Sequence, residues 1–367
     1  MTRLLLHIGS PKAGSSAIQA SLAAQAAVSR HWDWSSQRWI CLPPNPYGKP
    51  YPSGFIAARY LEPQHLPRYI KLRRQANPAG FEGDVERYHA LLKRQLQPRL
   101  RPRPAGALLS CEYLWRIPAA AVAQLKAEFE AMGVEQFRVV AYVREPSAVY
   151  GSALQQWARL STQLQRFDPH QWRYDLRKRL EAWASVFGEA LLVRPFDRGQ
   201  LPGGCVVADL QQQAAAWVGE PCWPLQLQPA PAVNSSATTE ELLAMQELMR
   251  GQPANPAGSA VLRTRDLGRL WDQLAAITAV QQGSKIQLLP AVAHVIRTRH
   301  QADLEWLAEA HGVQFPDPLE RDQAFNSWPD PGATDGAPAL QDLLQSPRHG
   351  ALLQTLRQRL ADVVLPG

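Results

Sequence analysis

The sequence predicts an α/β protein: a central parallel sheet of about five strands, covered on both faces, followed by a helical C-terminal region. Three observations lead there. The chain begins with a strand-turn-helix pattern, and short apolar runs alternate with helical periods up to about residue 195. Beyond a Pro/Gln-rich segment from Pro221 to Pro231, the remaining pattern is helical.

Arg3 to Ile8 is a continuous apolar run that reads as a buried strand, Gly9 to Gly14 as a turn, and Ser15 to Ala27 as a helix capped by Ser15 or Ser16. Arg38 to Leu42 is the second strand. From Pro43 to Pro104 the chain is rich in proline, arginine and tyrosine and shows one helical stretch, Val85 to Gln97, so it reads as an insertion over the sheet. Gly106 to Ser110 is the third apolar run. Pro118 to Met132 follows, with Val122, Leu125, Phe129 and Met132 on one helical face. Gln136 to Val143 gives the next strand, Arg177 to Phe187 a helix, and Ala190 to Val193 a strand that stops at Arg194-Pro195. Thr239 to Met249, Ala260 to Ala279, Leu288 to Ala310 and Gly350 to Val363 read as helices. The domains expected are a core over residues 1–229, carrying the insertion at 43–104, and a helical region over 230–367.

Composition narrows the class. Of 367 residues, 46% are hydrophobic and 19% charged, which excludes disordered, collagenous and fibrous chains. Lysine and arginine number 39 against 32 acidic residues, a formal charge of +7 that favours an anionic ligand and leaves nucleic acid, acidic glycan and phosphorylated cofactor open. Cys41, Cys111, Cys205 and Cys222 are too few and scattered for a disulfide scaffold and form no zinc spacing, as expected in a reducing cytosol. Leu4-Leu5-Leu6 is too short for a signal sequence, and no run reaches eighteen apolar residues, so a cytoplasmic protein is expected.

The chemistry concentrates in His7-Ile8-Gly9-Ser10-Pro11-Lys12-Ala13-Gly14-Ser15-Ser16, between the first strand and the first helix. Such a turn aims backbone N–H groups, a lysine and two hydroxyls at one point, reinforced by the positive end of the helix dipole: a phosphate cradle. It is not the kinase-type loop, where lysine follows the last glycine, because Lys12 precedes Gly14. A second segment, Val139 to Pro146, is a strand ending in Arg144, with Ser152 eight residues later on the next helix. An arginine at that strand end lies where open α/β sheets bind ligands, and the serine hydroxyl can turn to the same anion.

Together these segments resemble the sulfotransferases that use 3′-phosphoadenosine 5′-phosphosulfate (PAPS). The first is similar to their 5′-phosphosulfate loop, commonly Pro-Lys-x-Gly-Thr-Thr, with serines in place of both threonines. The second is similar to their 3′-phosphate motif, an arginine at a strand end eight residues before a serine. Trp183 to Gly188, Val193 to Arg198, Asn234-Ser235-Ser236 and the helix near His300 to Gly312 resemble bacterial members acting on carbohydrates. The resemblance implies a P-loop-like three-layer sandwich and transfer of a sulfuryl group to a hydroxyl of a carbohydrate or glycolipid acceptor. PAPS would be the donor and 3′-phosphoadenosine 5′-phosphate (PAP) the product, with no metal and no nucleic-acid partner. Lys12, Ala13, Gly14, Ser15 and Ser16 would grip the phosphosulfate, and Arg144 and Ser152 the 3′-phosphate.

Catalytic roles are expected at three positions. Lys12 would stabilise charge on the leaving phosphate oxygen. Glu112, one motif upstream of the arginine strand, stands where many family members carry the base, and His7 is its rival. Lys93, Arg94, Arg99, Arg101 and Arg103 form the densest basic stretch and would suit an acidic acceptor. The competing readings are a nucleoside or sugar kinase with a variant loop, and a non-catalytic polyanion-binding protein relying on the +7 surface.

Overall fold

The computed structural model describes residues 2–28, 39–41, 54–97, 106–219, 227, 237–251, 264–316 and 338–361. They fall into two compact units: Met1–Arg144 with Asp175–Val233 and Asp303–Phe315, and Glu145–Tyr174 with Asn234–Ala302 and Pro316–Gly367. The division therefore differs from a single cut after residue 229, because the chain passes between the units several times.

The first unit opens with β1 (Thr2–His7), α1 (Ser15–Val28) and β2 (Trp39–Cys41). Three helices follow, α2 (Gly54–Ala58), α3 (Arg68–Ala76) and α4 (Pro78–Leu96), then β3 (Gly106–Ser110), a 3₁₀ turn over Glu112–Arg116, α5 (Ala119–Ala131) and β4 (Val134–Val143). After α6 (Pro146–Ala158), which belongs to the second unit, the chain returns for α7 (Leu176–Phe187), β5 (Leu191–Pro195) and α8 (Val206–Val218).

All five strands run parallel, in the order β2-β3-β1-β4-β5. β1 lies in the middle, with His7 in register with Ser110 of β3 on one side and Val140 of β4 on the other. Chain order thus reverses direction at β1, and such a switch point opens a crevice at the carboxyl ends of the strands. Leu4, Leu5 and Leu6 are all fully buried, which explains why the strand reads as an unbroken apolar run: both faces of the sheet are covered. On one face Leu5, Leu108, Val140 and Tyr142 pack with Ile18 and Leu22 of α1 and with Val207, Leu210 and Ala214 of α8. α5 and α7 pair with each other and lie against β4 and β5.

Two differences from the sequence expectation concern this unit. Among its described residues the insertion contains three helices where one was expected, from Val85 to Gln97. α4 starts seven residues earlier because the Asn77 side chain accepts a hydrogen bond from the Gly80 N–H and Pro78 occupies the first turn, where its missing N–H costs nothing. Among the α3 residues whose burial is described, 70–76, Ile70 alone is buried, among charged neighbours, and so the helix gives little apolar period. α8 was not expected at all, although Val206, Val207, Leu210 and Ala214 form its buried stripe.

The second unit is helical: α6, α9 (Thr239–Arg250), α10 (Thr264–Val280), α11 (Pro290–Arg299), the short α13 (Leu340–Leu343) and α14 (Gly350–Ala361). Tyr150, Leu154, Leu242, Met245, Leu274, Ile296 and Leu356 share its core. The expected helix from Leu288 to Ala310 is two, α11 and α12 (Gln301–His311), broken at His300. There the imidazole Nδ1 meets the Ile296 carbonyl at 2.7 Å and Nε2 accepts the Tyr174 N–H at 3.1 Å, so the buried ring closes α11 by capping its last turn. Among the described residues no helix is long and apolar enough to cross a membrane.

Candidate anion-binding site

Three connections converge where the strands of the first unit end: the loop after β1, the segment Cys111-Glu112 after β3, and Arg144 after β4. The β1 loop keeps to the sheet at first, because Ile8 N–H donates to the Val140 carbonyl at 3.0 Å and Ser10 N–H to that of Tyr142 at 3.2 Å. The chain then turns through Pro11 and Lys12 into α1. Lys12 has φ +64°, the only non-glycine residue with positive φ among those described. That conformation costs an ordinary residue about 1–2 kcal/mol. Gly14, at φ +82°, must be glycine for two reasons: its backbone conformation, and the Phe196 ring, which a Cβ would approach to 2.6 Å.

Arg144 holds this turn from the neighbouring strand end. Its Nη1 donates to the Lys12 carbonyl at 3.1 Å, and its guanidinium lies 5.7 Å over the Phe196 ring that also supports Gly14. Two cations are thereby kept side by side. Burial pushes the Lys12 ammonium below its ordinary pKa and the charge on Arg144 pushes the same way, while Glu112 partly opposes both. For Glu112 burial raises the carboxyl pKa, with Lys12 and Arg116 opposing.

α1 opens at Ser15 itself, with Gly14 before it, so neither Ser15 nor Ser16 serves as the expected cap. Ser15 is buried, 3% exposed, and its Oγ has no hydrogen-bond partner, whereas Ser16 is exposed. Ala13 is fully buried. The first N–H groups of the helix have no intrahelical acceptor and carry the positive end of its dipole. A buried, unpartnered hydroxyl beside free backbone donors and two adjacent cations is the composition of an oxyanion site.

His7 lies beneath the loop, fully buried, with Nδ1 2.8 Å from Ser110 Oγ, and burial drives its pKa down to about 3. It is a neutral imidazole at physiological pH. Lys12, Ala13, Gly14, Ser15, Ser16, Glu112, Arg144 and His7 all belong to the first unit; Ser152 is a half-buried residue of α6 in the second. Arg194, from the segment Val193 to Arg198, is engaged elsewhere: it forms a paired hydrogen bond with the buried Asp209, at 2.5 and 3.1 Å, which also accepts from Tyr142 Oη at 2.8 Å. Of the basic stretch, Lys93 and Arg94 stand on α4, while Arg99, Arg101 and Arg103 lie outside the described residues. Sequence reasoning missed Phe196 and Ser110, which touch the machinery from behind. Phe196 had one signal, its place directly after a strand end. Among the described residues no group of three histidine, cysteine, aspartate or glutamate side chains is placed to hold a metal ion. Comparison with protein-family models, curated proteins and solved structures gives no match.

Proposed function

We propose that the protein is a sulfotransferase that moves a sulfuryl group from PAPS to a hydroxyl of a carbohydrate or other small acceptor. The observation that carries this reading is Lys12: a lysine in the left-handed region, fastened by Arg144 in the loop after the switch-point strand, three residues before the start of a helix. Strain of that kind persists where the fold enforces it, and it clusters at ligand clamps. The strand order and the covered sheet support a P-loop-like three-layer sandwich. Cys111 and Cys205 are not joined in a disulfide, which suits a reducing cytoplasm.

In this reading Gly14, Ser15 and Ser16 bind the 5′-phosphosulfate through backbone N–H groups and hydroxyls, and Arg144 recognises the 3′-phosphate. Glu112, its carboxyl pKa raised by burial, takes the proton of the acceptor hydroxyl. The new S–O bond forms as the bond from sulfur to the bridging phosphate oxygen breaks in line. Lys12 meets the charge that develops on that leaving oxygen, and PAP departs with the electron pair.

The test is a thermal-shift titration with PAP, AMP and ATP with magnesium. Saturation at 100 Kd adds about 2.7 kcal/mol to stability. Stabilisation by PAP beyond that by AMP is the expected outcome; stabilisation by ATP with magnesium alone replaces the reading with a kinase. Strongly salt-dependent binding without nucleotide preference replaces it with polyanion binding.

A further inference from the structure

The floor of the loop contains two buried polar atoms that have no hydrogen-bond partner among the described residues. Ser15 Oγ and His7 Nε2 have no hydrogen bond, and both side chains are almost wholly excluded from solvent. They face the same small volume under Gly9: a Cβ on that residue would collide with Ser15 Oγ and stand 2.9 Å from His7 Nε2. On its other side the His7 ring meets Ser110 Oγ at 2.8 Å through Nδ1. Ser110 of β3 is therefore bonded to His7 of β1, and His7 Nε2 and Ser15 Oγ, at the start of α1, are near neighbours not yet bonded to each other, at the edge of the anion cradle.

Hydrogen-bond chemistry gives these three side chains a direction. A neutral imidazole has one N–H and one lone pair. If Nδ1 carries the proton, it donates to Ser110, and Nε2 can only accept, so a Ser15 hydroxyl that closes on the ring gives its own proton to Nε2. If Nε2 carries it, Ser110 donates to Nδ1, Nε2–H donates to Ser15 Oγ, and the Ser15 proton is directed outward. A phosphate or sulfate oxygen only accepts, so an anion in the cradle selects the second arrangement, which satisfies every buried group among the three. Resting on the cradle reading, we propose that His7 is a positioning residue of the anion site: it relays a hydrogen bond from Ser110 to Ser15, turning the Ser15 hydroxyl proton onto the bound oxyanion. His7 then takes no proton from the acceptor and leaves the role of base to Glu112. Its depressed pKa keeps the ring neutral, as the relay requires.

The relay is tested with PAP as the probe. Nitrogen-15 NMR of the histidine-labelled protein, with the His7 signals assigned by their loss in His7→Gln, reports which ring nitrogen bears the proton. The PAP complex is expected to show the Nε2–H form; an Nδ1–H form in that complex overturns the proposal. The variants give a second readout on Kd. Glutamine places its amide nitrogen where Nε2 stood and asparagine where Nδ1 stood, so His7→Gln retains PAP affinity within about threefold, while His7→Asn and Ser15→Ala each lose about tenfold. Because both losses remove one interaction, the double variant His7→Asn/Ser15→Ala is expected to lose no more than either alone. Fully additive losses overturn the relay while leaving the cradle intact. If the wild-type protein does not bind PAP, the cradle reading and the relay fall together.

Discussion

Lys12 bears two burdens that substitution can separate. Its backbone stands at φ +64°, and its ammonium is held beside Arg144. Lys12→Gly relieves the first and deletes the second. The relief of about 1–2 kcal/mol is offset in part by the added freedom of glycine in the unfolded chain. The variant is expected to gain about 0.5–1 kcal/mol in urea unfolding while losing all stabilisation by PAP. Lys12→Ala removes the ammonium without easing the backbone, so it should lose turnover by at least about a hundredfold with no gain in stability.

Glu112 makes a pH prediction whose sign follows from its burial. Its carboxyl pKa is raised in the folded protein, so the base is protonated, and kcat/KM falls, below that raised value. Glu112→Gln is expected to abolish this acid limb and lower the plateau about 10²–10⁴-fold. Stability runs the other way. The unfolded chain ionises Glu112 more readily than the folded one, so wild-type stability falls as pH rises from the ordinary carboxyl value through the raised one. Glu112→Gln therefore unfolds at higher urea than wild type at pH 8 and at similar urea at pH 4. The turn and the strand-end arginine were legible as a candidate anion site because Pro-Lys-x-Gly-Ser-Ser lies between an apolar run and a helical period. The unpartnered state of Ser15 was not, since a serine before a helix reads as a cap, and only the actual start of α1 at Ser15 shows otherwise.

Among the elements, the strands were the clearest. β3 was expected and found over Gly106 to Ser110, because a strand buried on both faces needs apolar residues at every position. Helices packed by few contacts were harder. Over residues 70–76 α3 buries a single isoleucine, and the break between α11 and α12 depends on His300 meeting Tyr174, a partner 126 positions away. α8 shows what such distant partners contribute. Asp209 is fully buried on it and, among the described residues, is matched by Arg194 of β5 and Tyr142 of β4. Arg194→Ala is expected to cost about 3–5 kcal/mol by leaving that carboxylate uncompensated, measurable as a shift in the urea midpoint. Little loss on that substitution would show that α8 is held by its apolar stripe alone.

At the scale of the whole molecule, the units are interleaved in sequence, which local patterning does not reveal. The first unit takes back Asp303–Phe315 late in the chain, where Leu307 and Val313 are buried and Gln200 bonds to the Gln314 carbonyl at 2.9 Å. A fragment of residues 1–229 lacks that segment and carries α6 without the rest of its helical unit. It is expected to unfold without a cooperative transition in urea, monitored by circular dichroism, where the full chain shows one.

The central place of β1 in the sheet also sets a schedule for synthesis. Three consecutive leucines of β1 are made well before their partners, because both neighbouring strands are completed only when residue 143 has been added. At roughly 5–20 residues per second, that leaves the stretch without its partners for on the order of ten seconds, a window in which an apolar strand pairs readily with another copy of itself. The nascent chain should therefore be a strong client of ribosome-associated chaperones, and slowed translation between residues 8 and 134 should lower the yield of folded protein more than slowed translation after 143.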